Sequence, residues 1–118
     1  MKLLIAVDME GISGVTGWHH VLPDKPEYQR GRKWMTADVN AAISGAVQGG
    51  AEEIVVTDGH WDGSNILIEE LSPSATLING TPSPLSMVQG VENGVDAVVF
   101  IGYHARAGTR NAILDHTW

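Results

Sequence analysis

Three unbroken apolar runs punctuate the chain: Leu3-Leu4-Ile5-Ala6-Val7, the stretch inside Glu53-Ile54-Val55-Val56-Thr57-Asp58, and Ala97-Val98-Val99-Phe100-Ile101. Runs this short, without polar alternation and rich in branched residues, suit strands buried on both faces, the pattern of a parallel sheet. A weaker run, Ala75-Thr76-Leu77-Ile78-Asn79, predicts a further short strand. Between the first two strands, Met35, Val39, Ala42, Ile43, Ala46 and Val47 recur at spacings of three and four, an amphipathic helical stripe. That helix starts between positions 27 and 36 and ends at Gly49-Gly50, with Asp24-Lys25-Pro26-Glu27 offering a capping-box-like entry. Ser64-Asn65 predicts a short helix over 66–71, and Ser83 or Pro84 opens another that runs to about position 91 before Asn93-Gly94. Strand, helix, strand makes a right-handed parallel crossover the default. The expected fold is α/β, with a mainly parallel sheet of three to four strands and flanking helices, in one domain over residues 1–118.

The polar residues sharpen this picture, because each strong strand ends in a potential metal ligand. Asp8 and Glu10 follow the first, His60 the second and His104 the last. The carboxyl ends of parallel strands are where such folds bind ligands, so these side chains gather on one rim. Two ionised carboxylates held side by side repel, and a divalent cation is the simplest compensation. Carboxylate and imidazole donors suit zinc in a hydrolytic site, and a surplus of donors suits a pair of ions bridged by one carboxylate. Each residue alone has an ordinary explanation: Asp8 as a turn cap, Glu10 as a solvated acid, each His as a packing group. The repeated location carries the inference. Asp58 reads as a partner that orients His60. The loop over 11–26 is long enough to be a substrate-side loop, with His19 and His20 on its surface and Trp18 as an aromatic anchor. Arg106 could anchor a substrate carboxylate, balance the acids or lie on the surface, and Trp61 and Trp118 read as packing groups.

Composition narrows the partners. Of 118 residues 43% are hydrophobic and none is Cys, so disulfides, thiolate ligands and Cys nucleophiles are excluded. With a net charge of −7, seven Lys plus Arg and no basic run, nucleic acid is not an expected partner. Lys2 and five apolar residues before Asp8 are too short for a signal peptide, and no apolar stretch is long enough to span a membrane. The reading is a soluble, cytoplasmic protein without membrane association. A nucleotide-binding module is disfavoured, because acids occupy the turn where a glycine-rich phosphate loop would follow the first strand.

Several blocks then match in order and spacing: Val-Asp-Met-Glu-Gly at 7–11, Arg-Gly-Arg at 30–32 with Met35-Thr36, Asp58-Gly59-His60, Ser86-Met87-Val88-Gln89-Gly90 and Gly-Tyr-His-Ala-Arg-Ala at 102–107. Together they resemble the bacterial D-aminopeptidase family, the M55 zinc peptidases of the dipeptide-transport type, over almost the whole chain. The resemblance implies a binuclear zinc site with Asp8 as the bridge, Glu10, His60 and His104 as further ligands, and His116 as the catalytic residue. It implies hydrolysis of short peptides with N-terminal D-amino acids and a homo-oligomer in the full-length form. Family members run to more than twice this length and carry a further metal-binding Glu downstream of His116. The chain is therefore expected to be the N-terminal part of a longer peptidase, and the alternative to an enzyme is a non-catalytic metal-binding fragment of one.

Overall fold

The computed structural model describes residues 1–117, so Trp118 lies outside the described residues. Strand β1 is Lys2–Val7, helix α1 Tyr28–Gln48, β2 Glu53–Asp58, β3 Thr76–Ile78 and β4 Ala97–Ile101. The four strands form one sheet in the order β3-β2-β1-β4, and every neighbouring pair is parallel. β1 and β2 are the doubly covered strands that their apolar runs predict, whereas β4, at the end of the sheet, is not buried on both faces as its run predicts. Leu4, Ile5, Ala6 and Val7 are completely buried. Removing each such aliphatic side chain from water contributes about 1.5–3 kcal/mol, which makes β1 the strand that fixes the others.

Helix α1 covers one face. Met35, Val39 and Ile43 pack with Leu3, Ile5, Val7, Ile54 and Val56, while Val47 at the last turn stays exposed. The helix begins at Tyr28, the early end of the expected range, with Glu27 preceding it and making no side-chain cap, so the anticipated capping box does not form. Gly31 is a requirement of packing there. A side chain at that position would run into the His20 carbonyl and Met9, which press against this turn of the helix.

The other face is covered differently from expectation. The helix predicted over 83–91 is instead two 3-10 turns, Ser86–Val88 and Val91–Asn93, separated by Gly90 at φ 100° and closed by Gly94 at φ 71°. Ser86 itself sits at φ 52°, and helical hydrogen bonding cannot run through left-handed residues. The segment lies over Leu4 and Val55, and the Thr57 hydroxyl donates to the Gln89 carbonyl at 2.5 Å. The helix expected over 66–71 shrinks to the 3-10 turn Ile68–Glu70.

Register decides what meets at the rim. Val7 pairs with Asp58 on one side and Ile101 on the other, so the three strands end in one row. Backbone bonding continues past that row: Asp8 N–H donates to the Ile101 carbonyl at 2.9 Å, Gly59 N–H to Val7 at 2.8 Å and Gly11 N–H to Gly102 at 2.7 Å. The three loops that follow are thereby drawn together above β1.

Candidate metal centre

Asp8, Glu10 and His60 are all buried at this rim, and one donor atom from each lies within 4.8 Å of the others. His60 Nδ1 is 3.2 Å from Asp8 Oδ1 and 3.3 Å from Glu10 Oε2. His104 Nε2 reaches Asp8 Oδ2 at 3.5 Å, and His116 Nε2 reaches Glu10 Oε1 at 4.0 Å. The structure therefore brings Asp8, Glu10, His60, His104 and His116 into one cluster.

The far side of each imidazole explains how it is aimed. His60 Nε2 is 2.8 Å from the Val21 carbonyl, His104 Nδ1 is 3.0 Å from the Ala105 carbonyl and His116 Nδ1 is 2.8 Å from the Leu114 carbonyl. A carbonyl only accepts, so each of those nitrogens carries a proton, and the nitrogen turned towards the acids is the one that can offer its lone pair to a metal, on His60 once its own proton has left. Metal-ligating histidines are oriented this way. Asp8 Oδ2 and Glu10 Oε2 are buried without a hydrogen-bond partner among the described residues. Buried carboxylate oxygens left unpaired are costly, and lone pairs aimed at them give a donor set that a zinc ion fits.

Electrostatics agree. Burial pushes the Asp8 carboxyl up from its ordinary range, with the Glu10 charge adding to it and the His60 hydrogen bond opposing. Burial also acts upward on Glu10, but His60 and the Asp8 hydrogen bond outweigh it and hold that carboxyl at about 2. For His60 burial acts downward, and the close approach of Asp8 and Glu10 overrides it, raising the imidazole to about 10. Without a metal, the proton on His60 is the counter-charge of the acidic pair.

The family model for D-aminopeptidase, the M55 peptidases, matches residues 1–118. The chain belongs to this family. It is 44% identical over 109 residues to a D-aminopeptidase of Bacillus subtilis (strain 168), which covers 92% of this chain and 40% of that protein. A solved structure described as the Zn-dependent D-aminopeptidase DppA from Bacillus subtilis, a self-compartmentalizing protease, superposes with a TM-score of 0.95 at 42% identity, covering 99% of this chain and 42% of that one. The chain thus spans about two-fifths of the length of these family relatives.

Within this M55 chain, Asp58 stands behind the cluster. Its carboxylate accepts N–H groups from Asn65 at 2.6 Å (backbone) and 2.9 Å (side chain), from Ile66 at 2.8 Å and, more distantly, from His60 at 3.4 Å. Asn65 is fully buried, donates to the His60 carbonyl and accepts the Tyr28 hydroxyl at 2.6 Å. Asp58 therefore shapes the loop that carries His60 and does not face the acidic pair. The His19 and His20 rings lie 4.0 Å apart, tilted by 45°, with His20 edge-on to Trp34, and neither joins the cluster. Arg106 is exposed and its guanidinium makes no hydrogen bond among the described residues.

A cavity of about 340 Å³ opens onto the cluster, lined by Asp8, Glu10, His60 and His116 together with Trp18, Leu22, Trp61 and Thr117. Trp61, expected to be a packing group, is 61% exposed and belongs to this wall. Sequence reasoning missed it as a cavity-lining residue; the only signal was an unneeded indole directly after a candidate ligand.

Proposed function

We propose that this chain carries the metal-binding, peptide-hydrolysing centre of a zinc-dependent D-aminopeptidase, acting on short peptides with N-terminal D-amino acids. The observation that carries the proposal is the common aim of three imidazoles, each tied to a backbone carbonyl and each turned towards Asp8 or Glu10. Asp8, Glu10, His60 and His104 would hold the zinc. The division of Asp8, with Oδ1 beside His60 and Oδ2 beside His104, supports a bridging role between a pair of ions. Zinc supplies a Lewis acid for the peptide carbonyl and acidifies water. His116, stacked on His104 and partly open to the cavity, would move the proton between the attacking group and the leaving amine. The metal centre would also take the neutral free amine of a peptide N-terminus at the cavity floor.

The names of the relatives support peptide substrates and assembly into a homo-oligomer in the full-length form. Among the described residues no helix is long and apolar enough to cross a membrane, and a cytoplasmic location is part of the proposal. Elemental analysis of the zinc-loaded chain, with release of D-Ala from D-Ala peptides by the full reading frame, tests the reading. About two zinc ions per chain and D-specific hydrolysis support it. One ion or none here, with hydrolysis only in a longer form, supports a non-catalytic fragment. Loss of hydrolysis in the longer form overturns the substrate class.

A further inference from the structure

Two large indoles stand exposed beside the metal centre. Trp61 is 61% exposed and Trp18 47%, and neither belongs to the hydrophobic core. Both line the cavity whose floor is Asp8, Glu10, His60 and His116, and Leu22 adds an aliphatic surface to the same lining.

Their placement is built into the backbone that positions the ligands. Trp18 opens the 3-10 turn Trp18–His20, and its carbonyl accepts the N–H groups of Val21 at 3.2 Å and Leu22 at 3.1 Å. The Val21 carbonyl in the same turn orients His60, and the Trp18 ring meets His116 at 5.7 Å between centroids. Trp61 directly follows His60 and sits at φ 53°, a region that side chains other than Gly, Asn and Asp rarely adopt. The turn is closed by Gly63 N–H donating to the His60 carbonyl at 2.9 Å. A left-handed tryptophan turned out of the core beside a candidate site is an outlier of the kind that accompanies function.

We propose that Trp18 and Trp61 are specificity-determining walls that select short peptides with a bulky apolar, above all aromatic, side chain beside the scissile bond. The indole faces remove such a side chain from water and add stacking contacts that a methyl group cannot make. A cavity of about 340 Å³ is large enough for one such side chain and the peptide that carries it. The inference rests on the peptidase reading of the same centre.

The test is calorimetric titration of the zinc-loaded protein with D-phenylalanine and with D-alanine, followed by cleavage of D-Phe and D-Ala dipeptides. The expected result is about tenfold tighter binding of D-phenylalanine. In Trp61→Ala and Trp18→Ala that ratio falls to about twofold or less, while Trp61→Phe keeps most of it. Zinc content reports whether each variant is folded. A wild-type protein without the preference, or Ala variants that keep it, overturns the inference. Cleavage of D-Ala dipeptides without aromatic preference sinks this assignment and leaves the peptidase reading intact. Preferential D-phenylalanine binding without cleavage of any dipeptide does the reverse.

Discussion

His104 and His116 stack face to face, with ring centroids 3.5 Å apart and planes inclined by 18°. The stack is fastened from behind: His116 N–H donates to the Ala105 carbonyl at 3.2 Å, and Ala107 N–H donates to the His116 carbonyl at 3.1 Å. Two rings held alike nevertheless face different acids, His104 towards Asp8 and His116 towards Glu10. The closer, more buried ring suits a ligand and the looser one a proton carrier. His116→Ala is expected to lower kcat by about 10²–10⁴ with zinc content unchanged. His104→Ala is expected to lose zinc and activity together. Elemental analysis beside kinetics on the full-length protein separates the roles, and zinc loss in His116→Ala would make it a ligand.

If His60 is a zinc ligand as proposed, proton and zinc compete for it, which sets a pH dependence. Its pKa is raised from 6.5 to about 10 in the folded, metal-free protein. That contribution to stability is fully present below pH 6.5 and is lost as pH rises through about 10. Glu10, lowered to about 2 from 4.5, adds stability above pH 4.5 that is lost as pH falls through about 2. The metal-free melting temperature should therefore be flat between these windows and decline on the alkaline side. Zinc must displace the His60 proton, so its apparent affinity should rise about tenfold per pH unit between pH 7 and 9. Competition with a chromophoric chelator measures this, and a pH-independent affinity would mean that His60 is not a ligand.

The loop that carries His60 depends on one carboxylate. Asp58→Ala leaves the Asn65 and Ile66 N–H groups without their acceptor in a buried place. Hydrogen bonds to a charged group contribute about 1.5–3 kcal/mol each but not additively, so a loss of about 3–5 kcal/mol is expected. Tyr28→Phe removes a single donor from Asn65 Oδ1 and should cost about 1–2 kcal/mol. Urea unfolding of both variants checks the order, and equal losses would deny Asp58 its central place.

Much of this was legible in the sequence, for a physical reason. Buried parallel strands announce themselves as unbroken apolar runs, and a parallel register places whatever follows each run on one rim. The meeting of Asp8, Glu10, His60 and His104 on one rim was foreseen that way. His116 was not, because no periodicity governs a loop that turns back through left-handed Asn111 and Leu114; only the family resemblance named it. The segment over 83–91 misled because its apolar residues are spaced as in a helix, while Ser86 and Gly90 take left-handed conformations that composition does not reveal. Trp61 was misread because burial of a loop side chain depends on where its turn points, which is a tertiary property.

Two glycines with similar backbone angles should respond differently to the same substitution. Gly102 sits at φ 69° where a Cβ would strike the Asp8 carbonyl oxygen and Ile12, at the junction of β1 and β4. Gly108 sits at φ 81° with open space around it. Gly108→Ala should cost only the left-handed penalty, about 1–2 kcal/mol. Gly102→Ala adds a backbone clash that must push His104 away from Asp8, so about 3 kcal/mol or more and a weaker zinc site are expected. Thermal melts with and without zinc distinguish them, and similar values for both would show that the strand ends yield easily.

Strand β4 is the last in the sheet order, and its side chains are poorly covered: Phe100 is 58% exposed and Val99 40%. Among the aromatic rings of the described residues Phe100 meets only the edge of Tyr103, at 5.1 Å and 88°. An apolar edge strand with free backbone groups is a template for pairing with another chain. The chain of 118 residues is therefore expected to self-associate at micromolar concentration. Phe100→Glu places a charge on that edge, opposes pairing and should shift sedimentation towards the monomer without lowering zinc content, because the residue lies on the strand below the rim. A monodisperse wild-type monomer would show that the β4 edge is adequately protected by its own twist and neighbours.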